Sequence, residues 1–232
     1  NLQRCLDRGV STVFFSATLL PLAYYRKMLS IRNENFGMYV NSPFEEEKRC
    51  LLLCRDVSSR YTRRGYEEYR RIAEYIARMS WKKKGNYMIF FPSYKLMEDV
   101  FEVYQEEFSA DWVDCICQQA SMNEREREEF LREFQAQGEK TLLGFCVMGG
   151  IFSEGIDLKE ERLIGAIIIG TGLPQVNPEQ EILKEYFDQR GEEGFDYAYQ
   201  YPGMNKVMQA AGRVIRTVRD KGVIALLDDR FL

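Results

Sequence analysis

Residues 209–231 read QAAGRVIRTVRDKGVIALLDDRF. The first half has helix-like apolar spacing, and VIALL at 223–227 is a strand run without a polar position. A strand that is apolar on both faces belongs in a sheet covered on both faces, and such sheets are parallel. Runs of the same kind are LLLC at 51–54, YMIFF at 87–91, TLLGFCVM at 141–148 and AIIIG at 166–170, with VFFS at 13–16 as another. Helical periodicity fills the gaps. One face is marked by Tyr69, Ile72, Ala73 and Ile76, and another by Val100, Val103, Tyr104 and Phe108. Phe130, Leu131 and Phe134 mark a third, and Ile182, Leu183, Tyr186 and Phe187 a fourth. This alternation predicts an α/β fold with a mainly parallel sheet and helices on both faces.

At 232 residues the chain has room for one good-sized α/β domain with an appendage. Its apolar fraction of 45% and charged fraction of 29% are those of a globular protein. No apolar run approaches the roughly 20 residues of a membrane span, so no membrane partner is expected. Asn123-Glu-Arg-Glu126 has the form of a capping box, opening a charge-rich helix. Pro21 opens another helix running to about Ser30, and QRGEEGFD at 189–196 is the expected flexible loop. The short N-terminal stretch has the character of the tail of something longer, so the chain is expected to begin inside a larger protein.

The composition also excludes chemistry. The chain has no histidine, which removes Ser-His-Asp and Cys-His catalysis and any imidazole base. The six cysteines lack zinc-site spacing and are expected to be buried free thiols, with no metal site, in a reducing, cytoplasmic setting. A net charge of −4 argues against a broad polyanion-binding surface but permits a local basic groove. No G-x-x-x-x-G-K-[ST] loop is present, and Gly170-Thr-Gly172 lacks the third glycine of a dinucleotide fingerprint.

Two stretches can carry chemistry. FSEGIDL at 152–158 follows a strand, where ligand sites of parallel sheets lie, and presents Glu154, Gly155 and Asp157. An ordinary strand-to-helix turn is its other reading. In QAAGRVIR, a three-residue step places Gln209, Gly212, Arg213 and Arg216 near one helical face. Two guanidiniums on one face need an anion: surface carboxylates, or a phosphoryl group in transfer.

These patterns, in this order, resemble the second helicase domain of superfamily 2 DNA helicases of the DinG/XPD type, a RecA-like, P-loop NTPase-type fold. FFSATLLPL at 14–22 is similar to motif III of that family and NYMIFFPSY at 86–94 to motif IV. GGIFSEGID at 149–157 is similar to motif V, and QAAGRVIRTVRDKGVIALLDDRF to motif VI with its terminal D-x-R-F. IIIGTGLP at 167–174 resembles the strand and Leu-Pro turn between V and VI.

The resemblance implies that residues 1–35 are the end of the first helicase domain and linker, and 36–232 the second RecA-like domain. It implies that Arg213 and Arg216 reach a nucleotide held by the first domain of the same polypeptide, Arg216 as arginine finger and Gln209 as an orienting group. Glu154, Gly155 and Asp157 would line the cleft, and Ser16, Ala17 and Thr18 would couple nucleotide state between domains. Single-stranded DNA is the implied partner. Ser93 and Tyr94 are its candidate contacts, with Arg60, Arg63 and Arg64 of the arginine- and tyrosine-rich stretch 58–71, which reads equally as a solvated loop and helix. The Lys82–Lys84 run reads as a solubilising turn. ATP with Mg²⁺ would be held mainly by the first domain, and any iron–sulfur cluster would lie outside this chain. No feature indicates an obligate oligomer. A non-catalytic nucleic-acid-binding module of the same fold, or an α/β protein binding a small phosphorylated metabolite, are the competing readings.

Overall fold

The computed structural model describes residues 2–30, 35–135, 138–152, 158 and 160–231. They divide into two compact units, one of residues 1–42 with 173–205 and the other of residues 43–172 with 206–232.

The larger unit holds six strands: β1 Arg49–Cys54, β2 Asn86–Phe91, β3 Val113–Cys117, β4 Thr141–Val147, β5 Gly165–Ile169 and β6 Gly222–Leu227. They form one sheet in the order β1-β6-β5-β2-β4-β3, and every neighbouring pair is parallel. β2, β4 and β5 are buried at every position, as their apolar runs require, with the polar Asn86 and Thr141 at the starts of β2 and β4 buried too. β1 is also an apolar run, but it lies at the edge, and Leu51, Leu52 and Leu53 are exposed.

Two expectations fail at the ends of the list. The β3 sequence, VDCIC, carries an aspartate and two cysteines and gives no strand signal, yet it pairs along β4. Conversely, VFFS at 13–16 forms no strand. Val13, Phe14 and Phe15 are exposed, and a strand without a neighbour to pair with has nothing to hold its backbone.

Helices α3 (Tyr66–Lys82) and α4 (Tyr94–Glu107) cover one face. Ile72, Ala73 and Ile76 of α3 and Val100, Val103 and Tyr104 of α4 pack with Tyr87, Ile89, Phe91, Leu143 and Phe145. Side chains alternate across a strand, so Gly144 faces the other side. There α5 (Glu124–Arg132) brings Phe130, with Phe134 just beyond its end. The expected capping box starts this helix: Glu126 N–H donates to Asn123 Oδ1 at 3.1 Å, and Asn123 N–H to Glu126 Oε2 at 2.7 Å.

The smaller unit contains α1 (Leu2–Leu6), α2 (Leu22–Leu29) and α6 (Pro178–Asp188). A π-helical turn, Asp196–Gln200, runs into α7 (Tyr201–Ala211), whose residues from Lys206 onward belong to the larger unit. Its core is aromatic: Tyr24, Phe187 and Tyr197 are buried, and the Phe187 and Tyr197 rings stack at 3.9 Å. The loop at 189–196 is a closed turn, with Gly194 N–H on Asp188 Oδ1 at 2.9 Å and Glu192 N–H on the Phe187 carbonyl at 3.1 Å. No described helix is long and apolar enough to cross a membrane.

The close fit over β4 is testable. A Cβ at Gly144 would lie 2.6 Å from Cζ of the fully buried Phe134. Gly144→Ala should therefore destabilise the fold by about 1–3 kcal/mol, as overpacked cores do. Urea unfolding measures this, and an unchanged midpoint would show that α5 does not press on this strand.

Candidate functional site

In an open parallel sheet, functional groups gather beyond the carboxyl ends of the strands. After β2, Ser93 caps α4, its Oγ accepting the Leu96 N–H at 3.4 Å. Tyr94 is half-buried, and its hydroxyl accepts a hydrogen bond from Gln118 Nε2 at 2.8 Å. Gln118 Oε1 accepts the Val147 N–H at 2.9 Å, so this buried amide, which the sequence did not advertise, joins the ends of β2, β3 and β4. Burial raises the Tyr94 phenol above its ordinary value, with the Gln118 hydrogen bond opposing it.

Past β4 the chain turns at Gly149, whose φ of 71° lies in the left-handed region that favours glycine. Phe152 then stacks on Phe130 at 4.3 Å. Glu154, Gly155 and Asp157 lie outside the described residues.

The arginine segment departs from its sequence reading. Gln209, Gly212, Arg213 and Arg216 were expected on one helical face, but α7 ends at Ala211. Gly212 N–H still reaches the Met208 carbonyl at 2.9 Å. Arg213 and Val214 then bond three residues back, to Ala210 and Ala211, and the helix tightens and stops. Arg213 lies in the closing turn, and Arg216 in the loop beyond it.

The cause is Asp220, a buried carboxylate that the sequence reading passed over. It accepts the Arg216 N–H at 2.6 Å, the Thr217 N–H at 2.6 Å and, from the segment entering β5, the Glu160 N–H at 2.9 Å. The backbone donors that would continue a helix are thus taken. Glu160 itself has a φ of 56°, a conformation a non-glycine residue holds only when its surroundings fix it. Burial pushes the Asp220 carboxyl up, but the N–H groups of Arg216, Thr217 and Glu160 outweigh it and hold the pKa below its ordinary value. Val214, buried, seals the loop against Gly222, where even a Cβ would collide with its Cγ1.

A second buried carboxylate, Asp228, follows β6. It takes the Ser59 N–H at 2.9 Å, the Ser59 hydroxyl at 2.8 Å and the Arg230 Nε–H at 2.7 Å. Arg230 Nη2 also donates to Ser59 Oγ at 2.8 Å. Burial would raise this carboxyl too, and the Arg230 and Ser59 donors reverse it, leaving it far below the carboxylate range. Ser59 packs against Gly170, which has a φ of 80°, so the ends of β1, β5 and β6 meet here.

The neighbouring acid, Asp229, faces the arginine-rich stretch. It lies 3.6 Å from Arg60 and 3.7 Å from Arg63, and Arg63 also pairs with the buried Glu68 at 3.1 Å. Arg64 reaches the Ser59 carbonyl at 3.5 Å and stands over the Tyr61 ring at 5.6 Å. Arg60 and Arg63 are therefore anchored by Asp229, while Arg64 is held by the Ser59 carbonyl and the Tyr61 ring. In the smaller unit, Ser16, Ala17 and Thr18 form a small turn, Thr18 N–H donating to Ser16 Oγ at 3.2 Å.

All six cysteines are free, but only Cys146 is buried: Cys54, Cys115 and Cys117 are half-buried, and Cys5, near the N-terminus, and Cys50, on the edge strand, are exposed. Burial pushes Cys115 up to about 11 and Cys117 up to about 12, so these two stay protonated at neutral pH. Among the described residues no cluster of cysteine and acidic side chains could hold a metal ion.

The two buried carboxylates predict a pH dependence. Their folded pKa values are depressed, so the stability they confer is present above the unfolded carboxylate value of about 3.9 and is lost as pH falls from there through the depressed folded values. Asp220→Asn and Asp228→Asn should each be less stable at pH 7 and lose less on acidification. Urea midpoints between pH 7 and 3 measure this; acid limbs parallel to that of the natural chain would contradict it.

Residues 76–232 match the helicase C-terminal domain family. The chain is 28% identical, over 97% of its own length, to the ATP-dependent DNA helicase XPD of Sulfolobus acidocaldarius, of which it spans 40%. It is 27% identical over its whole length to the mouse (Mus musculus) regulator of telomere elongation helicase 1, spanning 21% of that protein. In fold it resembles two solved structures titled XPD_Helicase and XPD_APO. The TM-scores are 0.77 and 0.71 at 23% and 24% identity, over 99% and 93% of this chain and 41% and 44% of theirs. The matched family, the all-parallel sheet and the ordered motif segments lead to one assignment: the chain belongs to the helicase C-terminal domain family, as the second RecA-like domain of the XPD/DinG type.

Proposed function

We propose that the chain is the second motor domain of an ATP-dependent DNA helicase, with residues 1–35 the end of a first helicase domain and residues 36–232 the second. The carrying observation is the Arg216 loop, whose backbone is bound at consecutive N–H groups by the buried Asp220. A guanidinium that stabilises charge on a transferring phosphoryl group must be held in place before the reaction, because reorganising it during the step would cost what it contributes. A carboxylate that fixes the loop through backbone donors does this.

In this reading ATP with Mg²⁺ is held mainly by the first domain, and closure of the two domains brings Arg213 and Arg216 onto its phosphates, Arg216 as the finger. Gln209 and Gly212 shape the approach, Glu154, Gly155 and Asp157 line the nucleotide cleft, and Ser16, Ala17 and Thr18 relay nucleotide state. Single-stranded DNA runs past the carboxyl ends of the strands, where Ser93 at the start of α4, Tyr94 and the Arg60, Arg63 and Arg64 cluster are the contacts. Support for DNA and ATP as substrates comes from the Sulfolobus relative, named an ATP-dependent DNA helicase. The sequence contains no phosphate-binding loop of its own, so this chain by itself should not turn over ATP.

The test is DNA-stimulated ATPase in the polypeptide carrying both domains. Arg216→Ala should lower kcat by about 10³ to 10⁵, the range for an arginine finger, while nucleotide binding and the unfolding midpoint stay near those of the unmodified protein. An unchanged kcat would leave Arg216 with no catalytic part and favour a binding module without catalysis.

A further inference from the structure

Many cations in the larger unit face a carboxylate. Arg60 and Arg63 have Asp229, Arg70 has Glu107, Lys95 has Asp99, and Arg230 has Asp228. Lys206 is different. It is half-buried, near the middle of α7, and makes no hydrogen bond or ion pair with any described residue. Burial lowers its pKa, and among the described residues no facing acid offsets that effect. An ammonium taken partly out of water without a counter-charge is unfavourable, and a bound anion removes the penalty.

Its place in the fold says what kind of anion. The lysine stem passes over the turn that follows β4. A Cβ at Gly149 would lie 3.2 Å from both Cδ and Cε of Lys206 and 3.7 Å from Nζ. The ammonium is therefore carried to the carboxyl end of a central strand, the edge where parallel sheets bind ligands. Gln209, three residues on, lies on the same side of the helix, and Arg213 lies in the turn that closes it. A compact ammonium with three rotatable donors suits a phosphate oxygen.

We propose that Lys206 is a phosphate-binding residue, holding a phosphate oxygen beside the Gly149 turn. The assignment rests on the motor reading, in which two phosphate sources reach this unit: the backbone of the DNA strand and the nucleotide. Lys206→Met keeps the stem and removes the charge; Lys206→Gln is a second neutral variant should the first not fold, and Lys206→Arg restores a cation.

The experiment uses the polypeptide with both domains, a dT oligonucleotide and a fluorescent non-hydrolysable ATP analogue. Should the phosphate belong to DNA, the slope of log K against log salt for the oligonucleotide becomes shallower by about 0.7, one phosphate contact on a single strand, with analogue affinity unchanged. Should it belong to the nucleotide, analogue affinity falls about tenfold or more and the salt slope stays. Either result supports the proposal, provided Lys206→Arg behaves like the natural protein. A neutral variant that folds and changes neither quantity overturns it. Arg216→Ala is measured in parallel for ATPase, so that failure of the motor reading is seen separately from failure of the Lys206 assignment.

Discussion

Three backbone N–H groups converging on one buried carboxylate set the geometry on which the arginine segment depends. Asp220 stops α7 from continuing, closes the Arg216–Thr217 turn and holds Glu160 in a left-handed conformation at the entry to β5. A carboxylate is suited to this because it only accepts, and its two oxygens can serve several donors at once. Burial disfavours its charge, but the charge-assisted bonds it receives are about twice as strong as neutral ones and outweigh that cost. The segment that enters β5 and the loop that carries Arg216 are thereby joined by one side chain. A displacement of one is therefore felt by the other.

The same device recurs beyond the other end of β6. Asp228 gathers Ser59 and Arg230, and Asp229 gathers Arg60 and Arg63, so the C-terminal acids fix the loop that follows β1. One strand thus has a buried carboxylate before it and another after it, each binding a loop to the sheet. The sheet makes this possible: strands buried at every position, such as β2, β4 and β5, form a rigid base whose ends are well defined. Arg60 and Arg63 gain anchoring from their acids and give up part of their attraction for phosphate. In the proposed motor they would serve more to shape a groove than to supply its charge, and Arg64, over the Tyr61 ring, is the more available of the three.

The sheet was legible because burial on both faces writes itself as unbroken apolar runs, which is why the central strands and β6 could be read directly. β3 was not legible: an edge strand held by one neighbour tolerates VDCIC, and nothing local marks it. The run at 13–16 misled in the opposite sense, since apolar character records what a segment is fit to pair with rather than whether it pairs here. At the site, the order of the motif segments gave the family. The helical spacing of Arg213 and Arg216 gave the wrong local geometry, because it could not show that the donors of residues 216 and 217 are captured from position 220. Asp220 sits in RDKG, which reads as a charged, solvated turn. Only the tertiary contact to Glu160 reveals it as buried, and no local signal in the sequence could have found it.

The central claim is that Asp220 acts through Arg216. The most direct measurement is a double-mutant cycle on kcat for DNA-stimulated ATPase, with Asp220→Asn, Arg216→Ala and the two combined in the two-domain polypeptide. If the carboxylate works by holding the arginine loop, its removal slows turnover, and the double variant is no slower than Arg216→Ala alone. Losses that simply add would contradict the account, since the two residues would then contribute to turnover independently.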